Sequence, residues 1–197
     1  MQNSLFEEKI IESGETVGEI NQELLEKGKQ LFPESFFIFG TGKIDSDVVI
    51  VGESPGAPDA ESEKPFMGPV GDLLVRILGS IGLSRNEVYL TNVVKFISTG
   101  DELTPEILKF FTPYLMREIL AIKPKIVISL GNTPTRALLK TKKSITQMRG
   151  EFYDFHGIKL IPTFNPAYLL RDPSKKREVW EDMKKVRAFL TDLTEQD

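Results

Sequence analysis

Three short stretches carry residue types that could do chemistry together. Residues 52 to 71, GESPGAPDAESEKPFMGPVG, hold four glycines and four prolines directly behind the apolar run VVIV. Gly52 and Gly56 let backbone amides approach a flat or anionic ligand. Phe66, behind Pro65, offers a ring face for stacking, while Asp59, Glu61 and Glu63 supply carboxylates. The spacing fits neither the GxGxxG nor the GxxxxGKS/T phosphate loop. Thr91 and Asn92 form the second stretch, where an Asn amide would read a paired donor and acceptor on a planar ring. The third, TFNPAYLLR at 163 to 171, sets Asn165 beside protruding apolar side chains and Arg171. A ring to stack, an amide to discriminate and an apolar wedge are the parts needed to hold a base turned out of a duplex.

Composition removes competing chemistries. With no cysteine among 197 residues, a disulfide, a thiolate nucleophile, a cysteine zinc site and a cysteine-held iron–sulfur cluster are all excluded. A single histidine, His156, leaves little for a His-rich metal site or a Ser/His/Asp triad. It sits in Phe155-His156-Gly157, where the tip of a hairpin before the last strand is expected and no catalytic part is assigned. The net charge of −4 gives no global basic signature, so any nucleic-acid surface must be local. Arg171, Lys175, Lys176 and Arg177 are the most basic local stretch near the apolar wedge, and phosphate contact is its expected role. The apolar runs are too short to span a bilayer, and the acidic start MQNSLFEEKIIESGE lacks the pattern of a secretory signal. A soluble cytoplasmic protein without membrane contact is expected.

The elements that must position these stretches follow from periodicity. Residues 16 to 31 carry a capping box, Thr16 with Glu19, ahead of apolar Ile20, Leu24, Leu25 and Leu31, which predicts an amphipathic helix ended by Pro33. The run after Asp47 is short, β-branched and bounded by turn residues, as in a strand buried on both faces. The same form recurs in VYLTNVV, KIVISLG and IKLIPTF, giving four such runs. Helical patterns lie at about 69 to 81, 104 to 121, 132 to 139 and 174 to 192. Strands alternating with helices predict a three-layer α/β/α sandwich around a four-stranded parallel sheet, in a single domain over residues 1 to 197 with an N-terminal helical segment at about 1 to 35. The irregular segments 52 to 68, 95 to 103 and 163 to 173 each follow a strand, so they gather at one sheet edge.

The ordered blocks GESPG, KPFMGPVGDLL, VYLTNVVK, PYL with KPKIVISLG, MRGEFY and IPTFNPAYLLRDPSKKREVWEDMKKV resemble the family 4 uracil-DNA glycosylases over roughly residues 38 to 190. The resemblance implies a four-stranded parallel sheet with helices on both sides. It also implies a DNA-repair activity: base flipping, then hydrolysis of the bond between uracil and deoxyribose. By position, it implies that Gly52, Glu53 and Ser54 contact the uracil through their backbone, that Asp59 helps activate the attacking water, that Phe66 stacks on the base and that Asn92 reads its edge. Residues 165 to 171 match the second motif and its minor-groove insertion loop, with Tyr168 or Leu169 as the inserted side chain. Arg171, Lys175 and Lys176 would lie along the DNA.

Two positions depart from that pattern. The family carries four cysteines for an iron–sulfur cluster, and here Phe96 and Phe111 stand at the third and fourth positions, so no cofactor is expected and packed rings would tie the 95 to 111 segment down. Asn165 replaces a histidine that stabilises charge on the departing base. An amide donates a hydrogen bond but cannot become cationic, which implies a slower enzyme. NPAYLL also resembles the second motif of the mismatch-specific branch, and a mismatched base is cheaper to extrude, so uracil opposite guanine is the expected substrate. The reading is a monofunctional, monomeric glycosylase whose partner is DNA containing uracil or mismatched bases. Its rival is a relative that binds DNA or a nucleobase without cutting.

Overall fold

The computed structural model describes residues 14–97 and 103–195. At its centre a six-stranded sheet runs in the order β1-β3-β2-β4-β6-β5. The strands are β1 (Thr41–Gly42), β2 (Val48–Gly52), β3 (Tyr89–Asn92), β4 (Ile126–Leu130), β5 (Tyr153–Phe155) and β6 (Ile158–Thr163). The neighbours β3, β2, β4 and β6 are parallel, and these are the four runs expected from the sequence. Every residue of β2, β3 and β4 is buried, as required when helices cover both faces of a parallel sheet.

The edges differ from the expectation. β1 and β5 add antiparallel strands at either side, so the sheet has six strands rather than four. They are two and three residues long, too short to show an alternating pattern. β5 and β6 join through His156 and Gly157, with φ of 51° and 80°, a primed hairpin turn, so the lone histidine does sit at a hairpin tip.

Eight helices pack around the sheet among the described residues: α1 (Val17–Leu31), α2 (Ala57–Ser62), α3 (Gly68–Gly79), α4 (Pro105–Ile122), α5 (Asn132–Leu139), α6 (Ile145–Met148), α7 (Pro166–Arg171) and α8 (Lys176–Thr194). The Thr16/Glu19 capping box opens α1 as its sequence predicts. Alternate sheet residues divide the core. Val49, Val51, Val127 and Leu160 pack with α1 and α4, whereas Val48, Ile50, Ile128 and Ile161 pack with α3 and α8. That division is the three-layer sandwich. The short helices α2 and α7 fall inside segments expected to be irregular, each started by a proline in its first turn. Residues 1 to 13 of the expected N-terminal helical segment, and 98 to 102 of the second loop, lie outside the described residues. No helix among the described residues is long and apolar enough to cross a membrane.

From β2 the chain steps to β3 on one side and later returns to β4 on the other. The order therefore reverses at β2, and the crevice of such a sheet lies outside the strands' carboxyl ends. Gly52, Asn92, Leu130 and Thr163 terminate those strands.

Candidate active site

Gly52 and Asn92 are register partners at the ends of β2 and β3. A Cβ on Gly52 would lie 2.3 Å from Asn92 Oδ1 and 2.6 Å from the Phe66 ring, so glycine is what lets the amide and the ring converge. Phe66 is held there from several sides. Its φ of 57° is left-handed, an uncommon conformation for an aromatic residue. The half-buried Arg85 donates to the carbonyls of Pro65 and Phe66 at 2.5 and 2.8 Å, fixing both peptides. Burial lowers the Arg85 pKa, with the Asp59 charge opposing that shift. Gly71 lies against the Phe66 carbonyl, where a Cβ would approach to 1.9 Å.

Asp59, in the first turn of α2, is buried and ties the same loop together. One carboxylate oxygen accepts the Gly56 N–H at 3.1 Å and the other the Met67 N–H at 2.7 Å. A carboxylate has about four lone-pair sites, so each oxygen keeps a further acceptor position. Glu53 is exposed and accepts the hydroxyl of Thr133, in the first turn of α5.

These groups surround a cavity of about 220 Å³ lined by Glu53, Ser54, Asp59, Phe66, Asn92 and Asn165, among others. Asn92 is 3% exposed, yet its side-chain amide makes no hydrogen bond to the described protein and borders the cavity. Asn165 Oδ1 caps α7 by accepting the Ala167 N–H at 2.8 Å, which turns Nδ2 the other way, toward the Leu130 carbonyl at 3.4 Å. One of its two N–H groups is left for a ligand. A larger cavity of about 410 Å³ continues past Glu53, Asn165 and Ala167 to Tyr168 and Arg171. The Phe164–Asn165 segment is braced from below, because Arg149 lies over the Phe164 ring at 5.7 Å and pairs with Asp182, which accepts the Thr163 hydroxyl at 2.6 Å. Burial raises the Asp182 pKa, opposed by the Thr163 bond and the Arg149 charge.

The outer rim corrects one expectation. Leu169 is 1% exposed and packs in the core beside Phe164, Val179 and Met183, so it cannot enter a groove. The cause is the helical turn of α7, which points residue 169 inward with Pro166 and turns Tyr168 (36% exposed) and Leu170 (43% exposed) outward. Arg171 and Lys176 are exposed, whereas the Lys175 ammonium is occupied by Glu178 at 2.7 Å.

Residues 39–184 match the family model of the uracil DNA glycosylase superfamily. The chain belongs to that superfamily. A type-4 uracil-DNA glycosylase of Thermotoga maritima is 38% identical over 158 residues, 78% of this chain and 82% of the relative. Those of Saccharolobus solfataricus and Archaeoglobus fulgidus are 37% and 31% identical, each over 75% or more of both chains.

Against the uracil-DNA glycosylase pattern, the iron–sulfur cluster does not fit this chain. There is no thiolate to ligate iron, and Phe96 and Phe111 are buried with ring centroids 5.4 Å apart. Phe32, Phe37 and Phe110 pack around that pair at 5.0 to 6.2 Å. The rings close the space that ligands would need, joining α1, α4 and the chain after β3 into one apolar block. No group of three or more metal-binding side chains occurs among the described residues. Three features around the candidate site were not legible in the sequence: Arg85, the buried pair Lys95 and Glu118, and the outward Leu170. Only Lys95 gave a signal, a lysine directly following the apolar run VYLTNVV.

Proposed function

We propose that this protein is a DNA repair glycosylase that removes uracil by hydrolysis of its N-glycosidic bond after the nucleotide is turned out of the helix. The reading is supported by the Asn92 amide, which makes no hydrogen bond to the described residues and borders a cavity beside Phe66, where an uncommitted donor and acceptor face a site for a planar ring. The names of the type-4 relatives point the same way.

In this reading uracil stacks on Phe66, and Asn92 donates to its O4 while accepting from N3–H. The backbone of Gly52, Glu53 and Ser54 lines the base's other edge. Water bound to Asp59 attacks C1′ as the C1′–N1 bond breaks. The electron pair leaves with the base, and the water proton passes to the carboxylate. The free N–H of Asn165 meets the negative charge developing on uracil O2, a role in which one donor is worth about 10²–10³ in rate. Tyr168 and Leu170 replace the vacated base in the stack, while Arg171 and Lys176 meet phosphates. Because a mispaired base costs less to extrude, uracil opposite guanine is the preferred substrate.

The test is incubation of the purified protein with uracil-containing single strands, U·A and U·G duplexes, followed by alkaline cleavage of abasic sites on a denaturing gel. Strand cleavage fastest for U·G, and lost in Asn92→Ala, is expected. Intact strands under conditions where a competent control enzyme cleaves them would end the glycosylase reading.

A further inference from the structure

Behind Asn92 lies a buried ionic network that the reaction outlined above does not use. Lys95 and Glu118 are each 1% exposed, and their charged groups meet at 2.6 Å. The three ammonium protons have three acceptors: Glu118 Oε2, the Thr91 hydroxyl oxygen and, at 2.8 Å, the main-chain carbonyl of Asn92. Glu118, on α4, accepts the Tyr89 hydroxyl at 2.8 Å and shares the Thr91 hydroxyl proton between its two oxygens at 3.1 and 3.2 Å. Residues 89 and 91 point to the α4 face of β3, and the side chain of residue 92 follows the opposite face. The network therefore reaches the cavity through the Asn92 peptide, not through its amide.

A buried ion pair is a costly way to join a strand to a helix. Desolvation costs several kcal/mol per ion, and a well-packed apolar pair of similar volume is often as stabilising. That cost is visible at Lys95, whose pKa burial lowers against the pull of Glu118. An apolar pair, however, has no means of fixing the carbonyl of Asn92.

We propose that Lys95 and Glu118 are positioning residues for base recognition. They clamp the Asn92 carbonyl and the end of β3 so that the Asn92 amide is held over Gly52 at the depth where it meets a flipped uracil. The inference rests on the reading of the cavity as a uracil pocket. The double variant Lys95→Met/Glu118→Leu removes both charges together. It should unfold cooperatively, with Tm within about 5 °C of wild type, and bind an abasic-site duplex within about twofold of wild type. Its kcat for uracil excision should fall about ten- to a hundredfold with KM little changed, and inhibition by free uracil should weaken about tenfold. A folded double variant whose kcat and uracil inhibition both stay within about twofold of wild type would make the pair purely structural.

Should that variant not fold, Thr91→Val removes one Lys95 acceptor and the proton shared by Glu118 at nearly constant volume. It should weaken uracil inhibition about threefold or more, and unchanged inhibition refutes the clamp. Wild-type protein that yields no abasic product would sink the glycosylase reading instead. Direct calorimetric binding of free uracil to wild type and variants then decides the clamp by itself, equal affinities or no binding refuting it.

Discussion

Gly52→Ala tests the convergence on which the pocket depends. The added Cβ would stand 2.3 Å from Asn92 Oδ1 and 2.6 Å from Phe66 Cζ. Carbon contacts settle near 3.5–4.0 Å, so the two walls must part by roughly 1 Å. Neither wall yields easily. Phe66 sits on a loop whose carbonyls are held by Arg85 and whose next residue donates to Asp59, and Asn92 is fixed in β3 and clamped behind by Lys95. Overpacking of this kind costs about 1–3 kcal/mol, and at about 2–4 °C per kcal/mol for a chain of this size Tm should drop by roughly 2–12 °C. A 1 Å misplacement of a reacting group is worth about a hundredfold in rate, or roughly 2.7 kcal/mol of transition-state stabilisation. Single-turnover excision from a U·G duplex measures that loss, and anisotropy on an abasic duplex should show DNA affinity nearly unchanged. Gly79→Ala is the control, because a Cβ at the exposed end of α3 meets nothing within 4 Å. It should gain about 0.4–1 kcal/mol of stability and leave the rate alone. A Gly52→Ala protein that keeps its single-turnover rate within about threefold would refute the argument that Phe66 and Asn92 grip one base between them.

Two further outcomes concern the rim and the frame. Arg171→Ala should reduce the slope of log affinity for duplex DNA against log salt by about 1, while Lys175→Ala should change it little because Glu178 already holds that ammonium; equal slopes for the two variants would refute the assignment. Arg117 joins α4 to α1 through Glu23 and to the residue before the α1 cap through Glu15, and the hydrogen bonds from Arg117 and then Lys27 lower the Glu23 pKa from 4.5 to about 2. A lowered carboxylate pKa stabilises the fold above the unfolded value and loses that contribution as pH falls from about 4.5 toward 2. Since the Glu23 side chain is 34% exposed and screened by solvent, the loss should be under about 1 kcal/mol, measured as the part of the acid destabilisation that Glu23→Gln removes.

What the sequence revealed depended on how local each cause is. The parallel strands were legible because burial on both faces writes an unbroken apolar run, and Gly52, Asn92 and Asn165 were legible because each lies at or just beyond the end of such a strand. The inward turn of Leu169 was not. Six residues of α7 make fewer than two turns, too little period to show in sequence, so NPAYLLR reads as a loop and its middle leucine as a wedge. Arg85 and Lys95 were hidden for another reason. The carbonyls of residues 65 and 66 and the Glu118 carboxylate that hold them lie 19 to 23 residues away in sequence, and a basic side chain after a turn or a strand normally reads as a solvated end. Only the packed fold shows that Lys95 is withdrawn from water, that Arg85 is half-buried, and that both are aimed at main-chain carbonyls. The residues that would touch the base are therefore written locally, whereas the groups that hold those residues still are written across the chain. Substitutions at Arg85 or Lys95 would look conservative in the sequence and should act on the pocket all the same.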